Sequence, residues 1–150
     1  MNTTSEINEK CIDVCNSLLR GERSAVETYG SAIQKFDGKH CVPTLRQIQS
    51  THVEAVGILE ENIRSMGGEP GTDSGAWGTF ANIVQSTANL FGDDSAIEAL
   101  QRGEEHGQDE YQDALENDDV QVSCKEMIRS KLLPNVQKNI ATLEGLEEVV

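Results

Sequence analysis

Four polar side chains stand where the hydrophobic patterning of this chain calls for apolar ones. Laid out at about 100° per residue, the stretch from Ala96 to Leu115 puts Ile97, Leu100, Gly107, Tyr111 and Leu115 on one stripe, with Glu104 in its middle. Glu22 interrupts a stripe of Ile7, Cys11, Val14, Cys15, Leu18, Ala25, Tyr29, Ala32 and Phe36. His52 is central among Leu45, Ile48, Val56, Leu59 and Ile63, and Asn139 lies among Cys124, Ile128, Leu132, Val136, Leu143 and Leu146. A carboxylate on an apolar face must be paired, protonated, metal-bound or near water, because burying it alone is costly. The chemistry on offer is therefore metal binding or a buried ion pair.

Gln49 and His52 stand at i and i+3, the spacing of the Glu-x-x-His pair in di-iron carboxylate proteins, with an amide replacing the acid. A complete dinuclear centre wants about four carboxylates and two histidines. This chain offers one histidine, Glu104, Glu22 and a glutamine. Two readings follow. His52, Glu104 and Glu22 hold a single iron, manganese or zinc ion, or His52 and Glu104 form a structural polar pair that needs no cofactor, with the Tyr29 hydroxyl as a hydrogen-bond partner of His52. The absent carboxylates favour the structural pair, and with it a non-catalytic protein that works by association. Of the other histidines, His40 falls in a turn and His106 on a polar face. Serine and cysteine nucleophile motifs are missing, and GEPGTDSG lacks the Lys-Ser/Thr ending of a phosphate loop.

The elements that must position these groups are helices. The first runs from about Ser5 to Phe36 and is stopped by Asp37-Gly38. Its Glu27 lies on the opposite, solvent side. The second starts at Pro43, a residue suited to a first helical turn, and runs to Met66 before Gly67-Gly68-Glu69-Pro70-Gly71 ends it. Nearly thirty residues then lead to Asp94, too long for a structureless loop in a compact domain. Trp77, Phe80, Val84, Ala88 and Phe91 recur every three to four residues, so this connection carries a short accessory helix from about Ala76 to Phe91, docked through its aromatics. Asp93, Asp94 and Ser95 offer N-caps for the third long helix, which ends near Glu116. The fourth runs from about Val120 to Leu146, kinked by Pro134.

Composition agrees with an all-α domain spanning residues 1–150. Aromatics are 4% of the chain and prolines number three, which favours helix over sheet. Twelve Lys and Arg against 26 Asp and Glu leave a net charge of −14, a surface that repels nucleic-acid phosphates and anionic membranes and attracts cations or basic partners. No nucleic-acid or membrane role is expected. The partner is a protein or a second copy of the chain as a homodimer. MNTTSEINEK lacks the basic and apolar regions of a signal peptide, and no apolar run approaches the ~20 residues of a membrane span, so the expected location is cytoplasmic. Cys11, Cys15, Cys41 and Cys124 are too few and scattered for a disulfide scaffold and read as small buried hydrophobes.

Two tight turns and one long crossover around four amphipathic helices describe ferritin-like connectivity. The segments RGERSAVETYGSAI, GGEP, SGAWG, ALQRGEEHGQDEYQDAL and KLLP resemble a family of small bacterial ferritin-like four-helix proteins of the domain-of-unknown-function kind, across nearly the whole chain. The resemblance implies a ferritin-like four-helix bundle with a short extra helix in the crossover between helices two and three, and a link to stress physiology, with no established reaction. It also implies a histidine in the last helix where this chain has Asn139, a departure that weakens any metal centre spanning all four helices.

In that connectivity His52 and Glu104, each about ten residues into its helix, share a level with Tyr29 and Leu132. Glu22 is displaced by roughly five residues, about 8 Å at ~1.5 Å per residue, and Asn139 lies toward the opposite end from Glu22. Cys11, Cys15 and Cys124 are expected at one end and Cys41 at the other. Three thiols there still lack the fourth ligand of a zinc site. Trp77 is expected to be buried against the bundle or a second subunit.

Overall fold

The structure, a computed structural model, describes residues 4–78, 80–82, 84 and 93–147. Its regular structure is all helical, with no strand among the described residues. Helices α1 (Thr4–Lys35), α2 (Val42–Ser65) and α3 (Asp93–Glu116) are followed by α4 (Val122–Met127), a π-helical turn (Ile128–Leu132) and α5 (Leu133–Glu147). No helix among the described residues is long and apolar enough to cross a membrane.

Local chemistry sets these boundaries. Pro43 lies in the first turn of α2, where its missing N–H costs nothing. At the other end Gly67 takes φ 83°, and the N–H groups of Gly67 and Gly68 close on the carbonyls of Arg64 and Ile63, both at 3.0 Å. That pair of bonds is a Schellman stop, which needs a left-handed residue where Gly67 stands. The kink expected at Pro134 takes the form of the π turn just before it. Proline cannot donate to the carbonyl four residues back and its ring crowds that carbonyl, and a wide turn relieves both. One sequence expectation shifts: the fourth helical stretch starts at Val122 instead of about Val120, while Asp93, Asp94 and Ser95 are the first described residues of α3.

The helix directions follow from paired residues. α1 and α2 are antiparallel, with Cys15 beside Asn62 and the Val26 carbonyl beside Gln49. α1 and α3 are antiparallel, with Glu22 against Tyr111 and Tyr29 against Glu104. α2 therefore runs parallel to α3, and the crossover must bring the chain back to the end where α2 began. α4 and α5 run against α2, through Asn62 with Cys124 and Thr51 with Asn139.

The first half of the crossover is a strap bonded to the outer face of α1. Asn16 holds the Glu69 carbonyl and the Gly71 N–H, Arg23 holds the Gly71 carbonyl, and Ser74 donates to Glu27. Glu27 is thus on the solvent side, as expected, but engaged. Residues 78, 80–82 and 84 are helical, where the accessory helix was expected; its Ala88 and Phe91 lie outside the described residues. Trp77 is 2% exposed, as expected. Its backbone N–H donates to Ser24 Oγ at 2.9 Å, and its ring lies against Gly103, where a Cβ would come within 2.6 Å of it.

The apolar core has two parts. One gathers Tyr29, Phe36, Cys41, Leu45, Ile48, Trp77, Ile97, Leu100 and Leu143. The other gathers Cys11, Cys15, Leu19, Leu59, Ile63, Tyr111, Cys124, Ile128 and Leu132. The cysteines divide as expected, three in one part and Cys41 in the other, all of them free. Between the two parts lies a polar layer.

Candidate functional site

The polar layer is built from one side chain on each of α1, α2, α3 and α5, flanked by two tyrosines. Glu22 from α1, His52 from α2, Glu104 from α3 and Asn139 from α5 are all buried. His52 Nδ1 lies 2.5 Å from Glu22 Oε2, and Nε2 lies 2.5 Å from Glu104 Oε1. The expected contact between His52 and Glu104 is direct. Glu22, which the helix count set about five residues out of level, joins them. The imidazole spans the gap, one ring nitrogen to each carboxylate.

The tyrosines bind the carboxylates reciprocally. Tyr29 of α1 donates to Glu104 Oε1 of α3 at 2.9 Å, and Tyr111 of α3 donates to Glu22 Oε1 of α1 at 2.6 Å. The sequence holds the signal for this. Glu22 and Tyr29 are seven residues apart, as are Glu104 and Tyr111, so two antiparallel helices set in register bring each tyrosine to the other helix's glutamate. The expected bond from Tyr29 to His52 is replaced by ring stacking, with centroids 5.4 Å apart and planes 24° from parallel. Gln49 is not part of the layer; its side chain donates to the Val26 carbonyl at 3.0 Å. Asn139 donates to Glu104 Oε1 at 3.3 Å and to Thr51 Oγ1 at 3.0 Å, on the side away from Glu22. His40 is exposed, and His106 pairs with Glu110 at the surface.

The hydrogen-bond pattern assigns charge. Glu22 and Glu104 receive donors from Tyr111, Tyr29 and Asn139, which marks both as acceptors. An imidazole with a carboxylate oxygen at each nitrogen is satisfied on both sides only when both carry protons. Burial alone would push the His52 imidazole down, but Glu104 and Glu22 together carry it well above its ordinary 6.5. Burial, reinforced by the neighbouring carboxylates, pushes the phenols of Tyr29 and Tyr111 well up, so both stay protonated donors. Two carboxylates and one imidazolium leave one net negative charge in the layer. Glu104 Oε2, fully buried, has no hydrogen-bond partner among the described residues.

This arrangement can hold a proton and pass it between two carboxylates. It does not fit a dinuclear metal centre: the positions that would supply the second Glu-x-x-His pair are Val136 and Asn139, and Gln49 stands for the acid of the first. Nor do Glu22, His52 and Glu104 converge on one point as arranged, since the two ring nitrogens face opposite ways. The void beside them, lined among others by Leu18, Trp77 and Val136, is ≈ 10 Å³, room for about one water.

Residues 10–117 match the family model described as Domain of unknown function (DUF2383). The chain belongs to this family, and the match takes in Glu22, His52 and Glu104. No curated protein and no solved structure matches the chain.

Proposed function

We propose that this chain is a ferritin-like four-helix bundle in which a proton shared by His52, Glu22 and Glu104 holds the place of a metal centre, and that it works by association with a protein partner or a second copy of itself. The observation that carries this reading is the engagement of both His52 ring nitrogens by carboxylates. Each nitrogen that could face an ion faces a hydrogen-bond acceptor instead. The helix directions and the long return crossover support the ferritin-like assignment. The void beside the layer has room for about one water, and a net charge of −14 suits a basic partner surface.

One observation favours a second reading, a single iron, manganese or zinc ion in a reduced ferritin-like site. Glu104 Oε2 is buried without a described partner, in a layer that carries net negative charge and meets the void. A cation there would be held by Glu104, with His52 turning a deprotonated nitrogen toward it.

Thermal melts with and without iron(II), manganese(II) or zinc(II) separate the two, because an ion that binds only the folded protein raises its melting temperature by mass action. Elemental analysis of protein purified without chelators adds the resident content. The expected result is no metal-dependent gain that His52 controls. A gain present in the parent and lost in His52→Ala would establish the second reading.

A further inference from the structure

We propose that Cys11, Cys15 and Cys124 form a three-sulfur site for one soft, thiophilic monovalent ion, Cu(I), remote from the polar layer and independent of its role. The three sulfurs lie within 4.8 Å of one another, although they come from α1 and, more than a hundred residues later, from α4. Cys15 Sγ and Cys124 Sγ are 3.4 Å apart. All three residues are at most 1% exposed.

What surrounds the sulfurs selects the ion. The Asn62 amide nitrogen donates to both Cys15 Sγ and Cys124 Sγ at 3.5 Å, and the Gln121 backbone N–H donates to Cys11 Sγ at 3.5 Å. Donors aimed at sulfur stabilise thiolate charge, whereas small hydrophobes filling a core would need none. Structural zinc sites are four-coordinate, and iron–sulfur clusters are held by four cysteines. The polar groups shown on these sulfurs are N–H donors, which cannot complete such a set. Thiolates without a harder ligand select Cu(I), which three sulfurs satisfy. Uptake of the ion releases thiol protons to solvent, and the Asn62 and Gln121 N–H groups meet the negative charge left on the sulfurs. A net charge of −14 draws cations to the protein.

The test is anaerobic titration of the reduced full-length protein with Cu(I) in competition with a chromophoric Cu(I) chelator. Retention of one equivalent is expected, lost in Cys15→Ser and Cys124→Ser, unchanged in Cys41→Ser, and weakened about tenfold or more in Asn62→Leu, which removes the supporting amide. X-ray absorption of the loaded parent should show sulfur alone around copper, at three-coordinate amplitude, and needs no variant to fold. No retention, retention undiminished in the folded Cys124→Ser protein, or nitrogen, oxygen or only two sulfurs around copper would overturn the proposal. Binding of iron or manganese that depends on His52 bears on the polar layer and leaves this site unaffected.

Discussion

Tyr111 on α3 donates to Glu22 on α1 at 2.6 Å, and the same offset run in reverse joins Tyr29 to Glu104 at 2.9 Å. The two bonds frame His52 and tie the axial register of α1 to that of α3. They are not equivalent. Glu104 Oε1 also receives His52 and Asn139, whereas Tyr111 is the partner shown for Glu22 Oε1. Tyr111→Phe is therefore expected to cost about 1–3 kcal/mol, the penalty for leaving a buried acceptor unmet, and Tyr29→Phe less. Urea unfolding of the two variants checks the order. Equal or reversed costs would show that the reciprocal pairs do not bear on stability as described.

His52 makes stability depend on pH. Its proton is held well above the ordinary value of 6.5 by Glu104 and Glu22, so the folded chain binds a proton there that the unfolded chain releases. The resulting stabilisation is complete below pH 6.5 and is lost as pH rises toward the raised value. Among the thiols, Cys124 is lowered from 9.0 to about 7 by its hydrogen bond with Cys15 and adds stability as pH rises between those values, whereas Cys15 and Cys11, both raised, withdraw stability above 9.0. Tyr29 and Tyr111 contribute only above their ordinary 10.0. The comparison of parent with His52→Gln isolates the histidine: the parent's advantage should shrink as pH is raised from 6.5 to 10. An advantage that grows with pH would mean that His52 is neutral in the folded state.

Trp77 and Gly103 form a close packing contact. A methyl group on Gly103 would come within 2.6 Å of the indole, so Gly103→Ala must displace the ring. The expected cost is about 1–3 kcal/mol, as for overpacking elsewhere, with tryptophan emission moving to longer wavelength as the ring gains water. Unchanged emission and stability would place the indole elsewhere.

Two glycines of the second helical region should respond in opposite directions. Gly57 lies exposed within α2 with open space where a Cβ would go, and Gly57→Ala should stabilise by about 0.4–1 kcal/mol through the unfolded chain. Gly67 holds φ 83° at the helix stop, and Gly67→Ala should destabilise by about 1–2 kcal/mol. Thermal melts of both variants test the assignment of the stop.

The helices, their approximate ends and their inward residues were legible in the sequence because each rests on local information. Apolar residues recur at the helical period, Pro43 and Gly67 punctuate the chain, and Glu22, His52, Glu104 and Asn139 stand out because they interrupt apolar stripes. The layout of the cysteines and the burial of Trp77 followed from helix direction and aromatic spacing. The grouping of the inner polar residues needed the tertiary structure. A count from helix ends sets Glu22 apart from His52 and Glu104, but the register of α1 against α2, marked by Val26 with Gln49 and Cys15 with Asn62, brings Glu22 close to the level of His52. The imidazole presents nitrogens on opposite edges and so reaches Glu22 and Glu104 together. The partner of each tyrosine likewise depends on the axial register between α1 and α3, a long-range quantity that no single helix encodes. Gln49 shows the converse. Its spacing from His52 matched a metal motif, but a small rotation at the edge of the stripe sends its amide to the Val26 carbonyl, and a period read from one helix cannot resolve such a rotation.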